Sequence, residues 1–459
     1  MALVTSSSQK KGAGGFRKVL FVVVLVAIAA VGYVGFTELR LPAPATVEVT
    51  SSKPAIGPRT VFTVTSAEPV LGIESTSVLA DGAGLVQQVI VPDAAGTFAI
   101  GKESHPQLKP GTITITIAVQ AAGTKVRKPD PVVVTKTFEV KLDPPALAST
   151  SGFIHPSQGG AEIVVYEVGP SSVKDGVQAG AWFSPGSPLP GGQPSQRIVI
   201  FAVPYDLEVS ESEAKDKILL VAEDELGNRA ESPFIHKFIP RPMGKDVIEL
   251  KEGFMKKVTG EIYARTPELT KKGELVADYL QLNNDLRKKN MDELKELSKK
   301  SQPKFLWSET FVPMANAAVK GAFADRRTYT AEGKDVDTQD HLGFDLASVE
   351  RAPVQAGNAG VVVLARYFGI FGNCVVIDHG FGLMTLYAHL STIGVKEGDV
   401  VTLRQELGKT GATGLAGGDH LHFTTVLHGL PVNPIEWWDG HWIQDRVKLK
   451  VGDALPWKG

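Results

Sequence analysis

A chain of 459 residues, 43% of them hydrophobic, is long enough for two to four packed domains. Its formal net charge of −2 and the lack of a dense basic stripe argue against nucleic acid as a partner. The single cysteine, Cys374, cannot close an intrachain disulfide, and in the apolar run Asn373-Cys374-Val375-Val376-Ile377 it reads as a small buried core residue.

The N-terminus carries the first strong signal. Val19 to Phe36 is an uncharged apolar run of about eighteen residues, enough to cross a hydrocarbon core as a helix. Lys10, Lys11, Arg17 and Lys18 precede it and only Arg40 follows closely, so the positive-inside rule predicts residues 1–18 in the cytoplasm and the rest of the chain exported. A cleaved signal peptide would export the chain equally well. The run is longer than a typical signal core, which predicts an uncleaved anchor over 19–36.

Residues 41–143 predict a β-sandwich-like domain, best seen in the alternation Thr112-Ile113-Thr114-Ile115-Thr116-Ile117 between Gly and Pro turn signals. Pro144-Pro145 marks a linker. A second β-rich domain over 146–243 follows from Glu162 to Tyr166, Arg197 to Phe201 and Ile218 to Ala222, with a hairpin turn at Glu225-Leu226-Gly227-Asn228. His105, His155 and His236 lie singly in these regions and read as local hydrogen-bonding residues. Residues 245–302 read as helical: Thr266 as an N-cap with Pro267 at the first helical position, an apolar stripe Leu275, Val276, Tyr279 and Leu280, a break near Asn283-Asn284, and a capping box from Asn290 to Glu293. That segment is expected either as a spacer behind the following domain or as a cover across its groove.

Seven of the ten histidines lie after residue 340. In an extended segment alternate residues share a face, so His341 and Asp345 point together across Gly343, which leaves room for an ion. The same period puts His420 and His422 on one face and Leu421 and Phe423 on the core face. His389 stands between the two clusters. Imidazole and carboxylate ligands suit zinc, three protein ligands leave a place for water, and the surplus histidines are available for proton transfer.

The run His341-Leu342-Gly343-Phe344-Asp345 with Tyr387-Ala388-His389-Leu390 and His420-Leu421-His422 resembles the lysostaphin/LytM-type zinc endopeptidases, which hydrolyse peptide bonds of peptidoglycan. Gly408 to Gly414 and Pro431-Val432-Asn433-Pro434 agree with it, and the likeness spans Phe323 to Trp438. The resemblance implies one zinc ion (Zn2+) held by His341, Asp345 and His422. It implies His420 as general base towards a metal-activated water, and His389 stabilising the oxyanion beside the metal. Glycine-rich Gly411 to Gly418 would wall the groove, and His379, His428, His441 and Tyr387 would be structural. Two departures stand out: Ala324 where the family's opening motif has glycine before its arginine, written here Phe323-Ala324-Asp325-Arg326, and Thr424 where an acidic residue is common.

The fold class expected is therefore multidomain and mainly β. It comprises an N-terminal transmembrane helix, two β-sandwich-like regions, a helical segment, a C-terminal antiparallel β peptidase domain over 303–445 and a tail over 446–459. The function implied is a zinc-dependent endopeptidase of peptidoglycan stem peptides or cross-links, a single-pass protein of the inner membrane with its bulk in the periplasm. The β regions would be free to engage an envelope protein partner. The alternative is a non-catalytic regulator that activates another cell-wall hydrolase, a role that has no need of an intact set of five site residues.

Overall fold

The computed structural model describes residues 13–40, 46–67 and 73–458. Lys10 and Lys11, and Leu41 at the start of the first β region, lie outside the described residues. The chain divides into two compact units, Met1–Asp143 with Glu225–Asn228, and Pro144–Asp224 with Arg229–Gly459.

In the first unit a helix runs Ala13–Leu39. Its stretch Lys18–Leu39 is long and apolar enough to cross a membrane or to serve as a signal sequence, and no side chain of that stretch is buried. A three-stranded sheet (Thr46–Ser51, Thr60–Ala67, Thr97–Ile100) and a four-stranded sheet (Leu85–Ile90, Ile73–Gly82, Gly111–Ala121, Val132–Val140) share one core. The alternation in the strand Gly111–Ala121 works as expected: Ile113, Ile115 and Ile117 are buried, and the threonines between them face outward.

The second unit begins with two four-stranded sheets built from 147–233. The strands Ala161–Val168 and Gln196–Ala202 are apolar on both faces. One face fills the sandwich interior; the other sets Ile163, Val165, Ile198 and Ile200 against Trp307, Phe311, Trp437 and Ile443 of the C-terminal region. Buried Glu162 joins the same surfaces through Arg446 and Lys450, and buried Glu436 does so through Arg241 and the Ala161 amide. The C-terminal tail takes part, since Val447, Val451 and Leu455 are all buried in this cluster.

The C-terminal region is organised by an eight-stranded sheet in the order Ala318–Gly321, Phe344–Ala347, Leu421–Leu427, Leu383–Leu390, Asn373–Gly380, Gly360–Tyr367, Val400–Val401, with Leu430–Val432 paired to Leu421–Leu427. Its central strands Asn373–Gly380 and Leu383–Leu390 are almost wholly buried, because both faces are covered, and they read accordingly as continuous apolar runs. On one face Val375, Ile377, Tyr387, Leu421 and Phe423 form a core with Val354 and Leu407. On the other face Cys374, Val376, Leu386, Ala388 and Val426 meet the helical segment. Cys374 is fully buried, as its apolar surroundings required.

That segment differs in detail from its sequence reading. Lys245–Glu249 is a strand, paired in parallel with Asp325–Ala331. A helix Glu252–Arg265 then ends at Thr266, which is its C-cap and not the N-cap of the next helix. The residue before a proline is driven out of the α region, so Pro267 stops a helix here. The next begins at Leu275 and passes through a π-helical turn, Leu282–Leu286, into Arg287–Ser298 without interruption. Asn290 therefore lies inside a helix, buried, and its side-chain oxygen accepts the Ile370 amide in place of capping. Met255, Val258, Ile262, Tyr279, Leu282, Leu286 and Leu294 are all buried in the shared core. At about 2 kcal/mol per buried apolar side chain they bind the segment far more firmly than a lid that opens by a few kcal/mol.

Two outcomes follow from this packing. A chain beginning at Gln302 uncovers Leu364, Phe368, Ile370 and Leu386, and is expected to aggregate or to lose cooperative melting; an unchanged melting transition would show the helices to be a dispensable cover. His379 is fully buried between the Ala359 carbonyl and the Thr385 hydroxyl, and burial pushes its pKa down to about 4. Unfolded, it titrates near 6.5, so the unfolded chain binds more protons between those values and stability falls as pH drops through that window. Its contribution is on the order of 3 kcal/mol. Melting temperature recorded from pH 7 to pH 4 is expected to decline, and to decline less steeply in His379→Gln.

Candidate metal centre

Register places the first two candidate ligands. The strand Phe344–Ala347 lies between Ala318–Gly321 and Leu421–Leu427, with Asp345 opposite His422 on one side and Gly321 on the other. Directly opposed residues project from the same face of a sheet. His341 closes the strand Lys334–His341 of a separate three-stranded sheet, and Leu342-Gly343 carries the chain across to Phe344. The H-x-G-x-D run is thus split between two sheets instead of forming one extended segment, yet its two candidate ligands still converge. His341 Nε2 stands 3.0 Å from Asp345 Oδ1, His422 Nδ1 stands 3.0 Å from the same oxygen, and the two nitrogens are 3.1 Å apart. Among the described residues this is the group whose His, Cys, Asp or Glu ligand atoms all fall within 4.8 Å of one another. Gly343 also clears space beside the cluster. A side chain there would strike the His422 ring and the Thr424 hydroxyl, so the glycine makes room for the His422 ring.

Each imidazole is fixed by its outward nitrogen. His341 Nδ1 donates to the Ala322 carbonyl at 2.9 Å, His389 Nδ1 to the Thr413 carbonyl at 2.9 Å, and His420 Nδ1 to the Gly418 carbonyl at 2.8 Å. A carbonyl only accepts, so these rings carry their N–H outward and their lone pair inward when neutral. His422 is reversed: its Nε2 meets the Thr424 hydroxyl at 3.0 Å, and that hydroxyl is itself committed to the Leu342 carbonyl at 3.0 Å. Thr424 thus holds the His422 ring from the position where the resemblance makes an acidic residue common. The result is a set of inward acceptors, His341 Nε2, His422 Nδ1 and Asp345 Oδ1, facing one another. Such atoms repel unless a cation lies among them, and two imidazoles with one carboxylate fit a transition-metal ion.

The electrostatics agree with that donor set. Burial pushes the Asp345 carboxyl up, but the neighbouring His341, His420 and His422 outweigh it and hold the group well below the usual carboxylate range. Burial pushes His422 down to about 4, and burial together with His420 and His422 holds His389 well below its ordinary value. Burial also acts to lower His420, which lies 3.4 Å from Asp345 Oδ1, but that carboxylate prevails and raises it. The His389 and His420 rings lie 4.9 Å apart at the mouth of the cluster. His389 sits at φ +64°, a left-handed conformation that costs a non-glycine residue energy and recurs at functional sites.

Residues 339–434 match the family model for peptidase family M23. That match, together with curated relatives named as DD-endopeptidases, supports the lysostaphin/LytM-type family for the C-terminal region. Members of that family are metallopeptidases. Over 180 residues the chain is 31% identical to peptidoglycan DD-endopeptidase ShyA of Vibrio cholerae, covering 39% of each chain. Over 95 residues it is 41% identical to DD-carboxypeptidase/endopeptidase Mpg of Neisseria meningitidis, covering 21% of this chain and 22% of that one. The chain thus spans less than half the length of these curated relatives. A crystal structure of a peptidase M23 from Pseudomonas aeruginosa aligns at 20% identity over 62% of this chain and 95% of that one, with a TM-score of 0.38. The family assignment rests on the sequence matches.

The site also takes in Arg327, which the sequence did not mark. Arg327, not Arg326, reaches the centre: its Nη2 donates to Asp345 Oδ2 at 2.8 Å, while Arg326 pairs with Asp340 at the surface. Successive residues of a strand point to opposite sides, so the basic pair alone does not tell which one faces in. Ala324, in the place of the family glycine, adopts φ +65° and donates its amide to the His341 carbonyl at 2.7 Å. The chain therefore keeps the glycine backbone with an alanine, at a cost of about 1 kcal/mol.

A cleft of about 390 Å³ opens over the M23 histidines. Leu415, Ala416 and Gly417 of the glycine-rich loop line one wall, and Phe254, Tyr279 and Arg287 of the helical segment line another. The helices thus stand on the sheet face that carries His422, Thr424 and Val426, not behind the domain.

Removing the Thr424 hydroxyl tests the holding arrangement around His422. Thr424→Val is expected to weaken metal binding roughly tenfold to a hundredfold, the usual effect of losing a partner of a ligand. Competition with a chromogenic chelator reads this directly, and an unchanged affinity would show that Thr424 does not orient the ring.

Proposed function

We propose that this protein is a zinc-dependent endopeptidase that hydrolyses peptide bonds in peptidoglycan, held in the inner membrane by its N-terminal helix with its bulk in the periplasm. The observation that carries the reading is the convergence of His341, Asp345 and His422 on one point beside two further histidines whose inward nitrogens are free of a carbonyl partner. The names of the relatives, a peptidoglycan DD-endopeptidase and a DD-carboxypeptidase/endopeptidase, support the substrate class.

In this reading His341 Nε2, Asp345 Oδ1 and His422 Nδ1 hold one zinc ion. Zinc in that position supplies Lewis-acid polarisation of the carbonyl and of the attacking water at neutral pH. Arg327 keeps the second Asp345 oxygen occupied, so that the carboxylate presents one oxygen inward. His420 Nε2, its ring fixed by Gly418, takes the proton from water as the carbonyl is attacked and returns it to the departing amine. The family resemblance implies His389 as stabilising the oxyanion beside the metal. With its Nδ1–H given to Thr413, its Nε2 is an acceptor in the neutral ring, and burial keeps the ring neutral. His389 therefore fits better as a second acceptor that orients the water. A regulator without catalysis has no use for rings held in this way, which favours the enzyme.

His341→Ala and His422→Ala are expected to lose bound zinc by metal analysis. His420→Ala and His389→Ala are expected to keep zinc and to lose roughly 10² to 10⁴ in rate. Digestion of purified sacculi, with the released peptides identified by mass spectrometry, decides between enzyme and regulator. Release of no peptide by the zinc-loaded protein would sink the catalytic reading, and near-native rates in either histidine variant would remove that residue from the mechanism.

A further inference from the structure

The helical segment brings a fixed cation to the cleft. Arg287 lines it together with His341, His389, His420 and His422, and also lines the small adjoining space beneath His422 and Thr424. Its guanidinium is held on one side: Nε donates to the Asn283 backbone oxygen at 3.0 Å and Nη2 to Asn283 Oδ1 at 2.6 Å. Asn283 is itself fully buried, and its Nδ2 donates to Asp337 at 2.7 Å. Of five guanidinium N–H groups, the two bonds to Asn283 leave the Nη1 edge without a partner among the described residues. No carboxylate forms an ion pair with Arg287 among the described residues.

The backbone is bent to make this arrangement. Leu282–Leu286 forms a π-helical turn immediately before Arg287. The extra residue of such a turn weakens the helix locally, and these turns concentrate at functional sites. Here it turns Asn283 inward, where its side chain can hold Arg287 from one turn back. A guanidinium used merely to support a fold would be expected to pair with a carboxylate. This one is positioned by a neutral amide and forms no direct ion pair among the described residues.

Lys251 and Arg327 also line the cleft, against Glu249 and Asp345. Arg327 is already engaged with Asp345. The cleft is therefore cationic before any metal enters it, and Arg287 is its preorganised donor. A planar guanidinium with a free edge matches a carboxylate, through short charge-assisted bonds.

We propose that Arg287, positioned by Asn283, binds a free carboxylate of the substrate, so that this cleft selects peptides carrying a carboxylate close to the scissile bond. The inference rests on the hydrolase reading for the word substrate, but the carboxylate subsite stands on the geometry of Arg287. A ligand bound there places its anionic end on the helical segment and its adjacent peptide bond toward the histidines.

The test uses the full-length chain in detergent, loaded with zinc, and two probes that differ in one group, acetyl-D-alanyl-D-alanine and acetyl-D-alanyl-D-alaninamide. Calorimetric titration is expected to find the acid bound roughly tenfold to a hundredfold more tightly than the amide, the span that charge-assisted hydrogen bonds supply. That ratio is expected to collapse to near unity in Arg287→Met and to survive in part in Arg287→Lys. Equal binding of the two probes by the unaltered protein, binding of neither, or a ratio undiminished in Arg287→Met would each overturn the proposal. Because the first comparison needs no variant, misfolding of Arg287→Met leaves it decisive. Failure to hydrolyse either probe or sacculi, with the preference for the acid intact, would remove the hydrolase reading and leave the carboxylate subsite standing.

Discussion

An imidazole set among other imidazoles and a carboxylate keeps one ring orientation only where a second partner holds its far nitrogen, and the C-terminal domain is arranged around that requirement. Ala322, Thr413 and Gly418 give backbone carbonyls, the last two from the glycine-rich loop, and Thr424 gives a hydroxyl from the strand Leu421–Leu427. The backbone accepts strain to keep them in place: Ala324 and His389 both occupy left-handed conformations without being glycine. Two glycines clear space for the same purpose, since a side chain at Gly343 would meet His422 and one at Gly321 would meet Arg327 and Asp345. The acceptors left facing inward are what make the centre fit a cation.

The sheet beneath the centre is stiff because both of its faces are buried, and the two coverings differ in consequence. The core under Phe423 and Tyr387 is internal to the M23 domain. The opposite face is shared between the site and the helices, which continue the apolar surface from Ala388 and Leu386 to the rim of the cleft. The glycine-rich loop is tied to the same helices: Lys257 Nζ donates to the Ala412 and Ala416 carbonyls, and the Gly414 amide donates to Glu261. The wall of the cleft is thus set by packing energy that no small displacement recovers. The second β region is likewise fused to the domain, through Trp307, Trp437 and the buried carboxylates of Glu162 and Glu436.

Much of the centre was legible because its signals are local. A period of two across His420-Leu421-His422-Phe423 separates the histidine face from the core face whatever the rest of the chain does, and Leu421 and Phe423 are buried as that period requires. The apolar N-terminal run and the Ile-Thr alternation at 112–117 are legible for the same reason. The helical segment was read less well. Thr266-Pro267 admits two opposite meanings, the start of a helix or the end of one, and an apolar stripe does not say which neighbour will cover it.

Sequence by itself determined the kind of chemistry available here: two imidazoles and a carboxylate at ligand spacing, further histidines beside them, and a strand-rich chain with one apolar N-terminal helix. Tertiary structure alone decided which arginine meets Asp345, which hydroxyl orients His422, that Gly343 makes room for a ring, and that Arg287 looks into the cleft. Spacing along a strand or helix constrains which residues share a face. The partner of a side chain comes from backbone dozens or hundreds of residues away, as Leu342 does for Thr424 and Ile200 for His428, and is defined only once the sheets have closed.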